Sequence, residues 1–287
     1  MCFLSLCSLW LKNKKPSQPK CMLSFPNSKI NLGLHILAKR PDGYHDLETI
    51  FYPIAFKEAL EINTSFTGFE CTQSGIRFEN EENNLCIQAY RLLKADFPQL
   101  PDVSLHLLKC IPVGAGLGGG SADAAFTLRM LNDKYDLHLS DDALIVYALK
   151  LGSDCPFFIL NSPCYATGRG EILEKIEVNL TGYTLVLINP GIVISTAKAF
   201  SMITPAATLV GLKKIISLPV TEWKNNLINH FEEPVFDMHP DIREIKENMY
   251  AAGAIYAAMS GSGSTVYGLF EKSCDLKGVA ATKVIQL

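Results

Sequence analysis

Apolar and polar residues alternate from Lys29 to Ala38 (KINLGLHILA), a two-residue period that predicts a strand, and the polar loop KRPDGYHD closes it. LETIFYPIAF and EALEINTS carry the same period and predict two further strands joined by a short turn. In NLCIQAYRLLKADF the apolar positions fall at helical spacing, with Asn83 or Asn84 as the N-cap. VSLHLLKCIP alternates once more, and Pro112 ends the strand because it has no N–H to give a ladder. Helices are predicted from Ser121 to about Tyr135 and over DDALIVYALKLG, the latter stopped by Gly152 at C′.

The second half mixes the same two periods. YTLVLINPG reads as a buried strand ended by Pro-Gly, and STAKAFSMI as a short helix capped by Ser195 or Thr196. TLVGLKKIISLPVTEWKNNLINHFE is helical but broken at Pro219, and HPDIREIKENMYAAG is a helix with Gly253 behind it. AIYAAMSGSGSTVYGLFE reads as strand, Gly/Ser turn, strand. Strands and helices mix without regular β-α-β alternation, so the expected class is α+β. A weakly marked boundary near residues 170–182 divides the chain into lobes 22–172 and 173–287, and no internal repeat is present.

Composition narrows the picture. The 287 residues are 48% hydrophobic, enough for a substantial core. The net charge of −3 and the lack of a basic block argue against nucleic acid, so any phosphate site must be local. No apolar run reaches the length of a membrane span, and no membrane partner is expected. Nine cysteines with no C-x-x-C pair predict free thiols in a reducing, cytoplasmic setting. Residues 1–21 place their lysines after the apolar run, unlike a signal peptide; they read as a disordered or non-native extension, with Met22 as an alternative start.

The densest chemical signal is CIPVGAGLGGGSADAAFTLRMLN, residues 110–132, where five of the seven positions from Gly114 to Gly120 are glycine. Gly114, Gly116 and Gly119 satisfy G-x-G-x-x-G, but the dinucleotide reading needs an acidic residue closing the next strand. Asp136 lies instead in a connection between helices. A P-loop needs Gly-Lys-Ser/Thr, and this loop ends Gly120-Ser121-Ala122. What remains is general: bare backbone running into a helix start offers N–H donors and a positive dipole end to an anion. Ser121 would cap that helix or touch a phosphate or its magnesium, and a close-packed turn without a ligand is the competing account.

These segments together resemble the GHMP kinases. Pro112 to Ala125 (PVGAGLGGGSADAA) is similar to the family's second motif, which wraps the phosphates of ATP. The Gly-Gly-Gly-Ser form is similar to one branch, which phosphorylates a cytidine-diphosphate-linked methylerythritol to its 2-phosphate in non-mevalonate isoprenoid biosynthesis. SKINLGLHILAKRPDGYHDLET (28–49) resembles that branch's first motif and MSGSGSTVYGLF (259–270) its third. LGSDCPFF (151–158) resembles a fourth segment, with Ser153 and Cys155 where the branch has alanine and valine. The resemblance runs from about Ser24 to the C-terminus. It implies a two-lobed fold, with an N-terminal lobe like domain 2 of ribosomal protein S5 and a ferredoxin-like C-terminal lobe.

The resemblance also implies roles. Pro112, Val113, Gly114, Ala115, Gly116, Leu117, Gly118, Gly119, Gly120, Ser121 and Ala122 would surround the phosphates of ATP, with Asn84 and Lys109 around its adenine. Lys29 and Asp154 match the catalytic pair, the carboxylate taking the hydroxyl proton and the ammonium holding it ionised. Tyr44 and Phe200 would hold the two faces of the cytosine and His45 would read its edge, while Asn31 and Thr196 lie along the rest of the substrate. Mg²⁺ would come with ATP, and no protein ligand is assigned to it. Read without the family, Lys29 is a solvated strand lysine, Asp154 a turn residue, Asn84 a plain N-cap, Asn31 a strand-edge residue and Gly261–Gly263 a hairpin turn. The alternative within the family is a kinase of mevalonate, homoserine or a sugar, whose substrates have no base to stack against RPDGYH.

Overall fold

The computed structural model describes residues 21–76, 84–206, 210–271 and 281–287. The expected extension, apart from Cys21, lies outside these residues, as does Asn83. In chain order the first part contains β1 (Met22–Ser24), β2 (Asn27–Lys39), β3 (His45–Lys57), β4 (Ala59–Thr64), β5 (Glu70–Gly75), α1 (Leu85–Asp96), β6 (Val103–Lys109), α2 (Gly119–Lys134), α3 (Asp141–Leu151), α4 (Cys155–Leu160), β7 (Cys164–Thr167) and β8 (Ile172–Lys175). The second part contains β9 (Tyr183–Ile188), α5 (Thr196–Ser201), α6 (Leu212–Ile216), a 3₁₀ turn (Val220–Asn225), α7 (Glu232–Met238), α8 (Pro240–Ala251), β10 (Tyr256–Met259), β11 (Val266–Glu271) and β12 (Lys283–Gln286).

The strands form three four-stranded sheets, ordered β1-β4-β6-β5, β2-β3-β7-β8 and β10-β11-β9-β12. Only β5 and β6 pair in parallel among the described strands. The first sheet packs Leu60, Ile62, Leu105 and Leu107 against Ala122, Ala125 and Leu128 of α2, forming one core. Burying each leucine or isoleucine side chain there contributes roughly 1.5–3 kcal/mol. A second core joins Ile30, Leu32 and Ile50 of the β2–β3 ribbon to Leu185, Leu187, Tyr256 and Tyr267 of the third sheet. The ribbon is therefore the wall between the two halves, and most of β2 is buried on both faces. Strand alternation places Lys29 and Asn31 together on one of those faces, opposite Ile30 and Leu32.

Several local expectations hold. Asn84 caps α1 by accepting the Cys86 N–H at 2.9 Å, and Ser195 caps α5 through the Lys198 N–H at 3.4 Å. Pro240 opens α8, where its missing N–H costs nothing. Others are corrected. α2 begins at Gly119, two residues before Ser121, because Gly118 is its N-cap in the left-handed region at φ 71°. Ser121 is thus the third helical residue and not the cap. Gly152 is the C-cap of α3 itself, with extended backbone at φ 169°. The break at Pro219 itself holds: α6 lies before it, and the 3₁₀ turn and α7 follow it. Among the described cysteines Cys21, Cys86, Cys110, Cys155 and Cys164 are free thiols. Among the described residues no helix is long and apolar enough to cross a membrane.

Candidate active site

The glycine loop stands where β2, α2 and the β10–β11 turn meet. The space a Cβ on Gly116 would take is filled by the Ser260 carbonyl oxygen, 1.8 Å from that position, and φ is 76° there. Only glycine fits such an approach. The β10–β11 turn thus backs the loop. Ser260 ties the two together by donating from its hydroxyl to the Gly116 carbonyl at 2.8 Å, and it accepts the Asn31 N–H at 3.2 Å. At the helix start the first intrahelical bond is Ala122 N–H to the Gly118 carbonyl, and Gly118 has no side chain to cap anything. The amides ahead of Ala122 and the positive end of a 16-residue helix therefore face the cradle.

Lys29 runs into this cradle from β2. Its ammonium donates to Asn31 Oδ1 at 2.5 Å and to the Gly116 carbonyl at 3.2 Å, and it lies 3.5 Å from Asp154 Oδ2. The Lys29 side chain is 4% exposed while that of Asp154 is 32% exposed. The lysine is not a solvated strand residue; the carboxylate keeps one side open to an incoming group. Burial pulls the Lys29 pKa below its ordinary value, and the neighbouring Asp154 charge opposes that shift. Asp154 is the N-cap residue of α4 without making a side-chain cap bond, and Pro156 follows inside the first turn. Its oxygens are thereby left for Lys29 and the groove. Asn31 spends its amide on Thr49 Oγ1 at 2.9 Å, so its side chain orients the lysine.

Two cavities meet here. The smaller, about 190 Å³, is lined by Lys29, Asp154, Gly114, Gly116 and Gly118 among others. The larger, about 810 Å³, is lined by Tyr44, His45 and Phe200 among others, and Ser153, Arg169, Thr196 and Phe200 line both. The PDG turn projects Tyr44 into solvent at 55% exposure, its N–H held by Asp42 Oδ1 at 3.1 Å. The aromatic rings already have partners. His45 lies flat on Phe200, with centroids 4.9 Å apart and planes 19° apart, and the Arg169 guanidinium stands 4.7 Å from the Tyr44 centroid. Thr196, first in α5, shares a 3.3 Å hydroxyl contact with Ser262.

Asn84 and Lys109 sit behind the cradle. A Cβ on Gly119 would stand 3.0 Å from Lys109 Nζ, and one on Gly120 would stand 3.9 Å from Leu85, next to Asn84. Alternation along β6 turns Lys109 inward, 1% exposed, where it bridges Glu58 Oε2 at 2.6 Å and Asp123 Oδ2 at 2.8 Å. Glu58 also accepts the N–H groups of Cys110 and Ile111 at 3.0 and 2.7 Å, holding the strand end that leads into the glycines. Sequence reasoning missed Glu58, Asp123, Arg169 and Ser260. Glu58 and Asp123 each carried one legible signal: the former, in the connection between β3 and β4, keeps the two-residue step of Leu60 and Ile62, and the latter is a charge among the alanines of α2.

Among the described residues no group of three or more His, Cys, Asp and Glu side chains is placed to hold a metal ion.

The model of the GHMP kinases N terminal domain matches residues 84–162, and that of the GHMP kinases C terminal matches 220–280. A Bacteroides fragilis protein called 4-diphosphocytidyl-2-C-methyl-D-erythritol kinase is 55% identical over 253 residues, 87% of this chain and 92% of the relative. A Parabacteroides distasonis protein of the same name is 53% identical over 258 residues, covering 89% and 94% of the two chains. The crystal structure of a 4-(cytidine 5'-diphospho)-2C-methyl-D-erythritol kinase superposes with a TM-score of 0.76 at 31% identity, covering 86% of this chain and 90% of that one. Fold and relatives together define a small-molecule kinase of two lobes, with the glycine loop beside the Lys29–Asp154 pair. The chain belongs to the GHMP kinase family, among the 4-diphosphocytidyl-2-C-methyl-D-erythritol kinases.

Proposed function

We propose that this kinase transfers the γ-phosphoryl group of ATP to a hydroxyl of 4-diphosphocytidyl-2-C-methyl-D-erythritol, giving the 2-phosphate. The observation that carries the reading is the 3.5 Å approach of Lys29 Nζ to Asp154 Oδ2 beside the glycine cradle, in a cavity that shares its walls with an aromatic one. The residues from Pro112 to Ala122 bind the ATP phosphates through backbone N–H groups, and Asn84 and Lys109 shape the base of the nucleotide pocket from behind. Asp154 accepts the hydroxyl proton as the oxygen attacks phosphorus. Lys29 keeps the carboxylate ionised and offsets charge on the phosphoryl oxygens. Mg²⁺, when bound, would offset charge on the ATP phosphates, and the Ser121 hydroxyl and the Asp154 carboxylate are the protein oxygens that would hold it.

Cytosine occupies the larger cavity with Tyr44 and Phe200 against its faces, and His45 yields the Phe200 face to read the base edge. Thr196 and the Asn31-oriented lysine line the path to the hydroxyl. Stacking tolerates every base, so selection falls to edge donors and acceptors, whose polarity uracil reverses. An unpaired buried polar group costs about 1–3 kcal/mol. The cytidine form should therefore exceed the uridine form by about 10–100-fold in kcat/KM. Equal values in competition kinetics would remove the base-reading role. Free thiols among the described cysteines support a reducing, cytoplasmic setting for this chemistry. A coupled ADP-release assay with the cytidyl substrate beside mevalonate and homoserine tests the whole reading. Turnover of either rival at a comparable rate would sink it.

A further inference from the structure

Arg169 sits at the tip of the turn between β7 and β8, flanked by Gly168 at φ 68° and Gly170 at φ 107°. Glu171 fixes it from behind: Oε2 accepts the Arg169 N–H at 2.5 Å, and Oε1 faces its Nε at 3.5 Å. The guanidinium stacks on Tyr44, and none of the described hydrogen bonds or ion pairs uses its terminal nitrogens. Arg169 lines both the aromatic cavity and the Lys29–Asp154 cavity. Lys29 lines the latter but is engaged by Asp154, while Lys39 and Lys150 line only the former. A guanidinium held at its Nε edge keeps a forked pair of donors for a phosphate.

This inference rests on the proposed substrate. That molecule carries its base at one end, its reacting hydroxyl at the other and two phosphates between. The arginine common to both cavities stands between the places assigned to the two ends. We infer that Arg169 binds the substrate's diphosphate and sets how far the hydroxyl reaches toward Asp154 once the base is seated. It acts as a positioning residue, and its loss raises the KM for the cytidyl substrate more than that for ATP.

Calorimetric titration of cytidine and CDP, with the ATP site filled by a non-hydrolysable analogue, isolates the contribution. The native enzyme should bind CDP at least about tenfold tighter than cytidine. Arg169→Ala should weaken CDP by about 10–100-fold and shrink the CDP-to-cytidine ratio toward one, with analogue affinity unchanged. Arg169→Lys should recover part of the ratio, since it keeps the charge but loses the fork. A native ratio near one overturns the inference, as does an undiminished ratio in either variant. Failure of the native enzyme to bind cytidine at all would instead strike at the substrate reading.

Discussion

Asp154→Asn is expected to lower kcat by about 10²–10⁴-fold while ATP still binds with near-native affinity. The amide has almost the shape of the carboxylate, so α4 and its Pro156 turn are undisturbed and the substitution tests chemistry alone. It removes two things at once. The hydroxyl loses its proton acceptor, and Lys29 loses the anion that opposes the pull of burial on its ammonium. Without that anion the buried lysine gives up its proton more readily, and charge on the phosphoryl oxygens goes less well compensated. Single-turnover kinetics at saturating ATP measures the effect. Near-native turnover would remove Asp154 as the base. A raised KM for ATP with unchanged kcat would reassign it to nucleotide binding.

The glycine loop was legible as bare backbone leading into a helix because its signal is local: five glycines stand directly before an amphipathic run. The start of α2 was misplaced by two residues for a related reason. Gly118 ends the loop by taking a left-handed conformation, which leaves no capping side chain to read. Lys29 and Asp154 lie on elements far apart in the chain, and only the family resemblance joined them; composition alone would have left both in solvent. The physical cause is β2, whose second face is covered by the other lobe, so that a lysine in an alternating strand ends up buried. Arg169 and Ser260 were invisible for the converse reason. Each sits in a Gly-flanked turn that reads as ordinary loop chemistry until a distant strand or helix is packed beside it.

Behind the cradle, Glu58→Ala is expected to cost about 3–5 kcal/mol of stability, whereas Asp123→Asn costs little. Glu58 pairs Lys109 at 2.6 Å and accepts two backbone N–H groups, so its removal leaves the buried Lys109 and Ile111 donors and the partly buried Cys110 N–H short of an acceptor. Asp123 holds the same ammonium at 2.8 Å, but its Oδ1 has no hydrogen-bond partner among the described residues. Burial, with the Glu58 charge adding to it, raises the Asp123 pKa well above the usual carboxylate range against the attraction of Lys109. Two carboxylates around one ammonium would leave a surplus negative charge indoors, and Asp123 is the member whose ionisation that surplus opposes. Its folded pKa exceeds the unfolded one, so the folded chain keeps a proton that the unfolded chain releases. That stabilisation is complete below the unfolded pKa and is lost as pH rises toward the raised folded value. Asp123→Asn removes the loss, and its melting temperature relative to the native chain should climb over that interval. Glu58→Ala should melt on the order of 10 °C lower at neutral pH and bind ATP more weakly, because Cys110 and Ile111 anchor the glycine loop. Thermal unfolding of both variants from pH 5 to 8 separates the two carboxylates. Equal losses, or a flat difference between Asp123→Asn and the native chain, would mean that the ammonium is shared evenly and no surplus charge resides on α2.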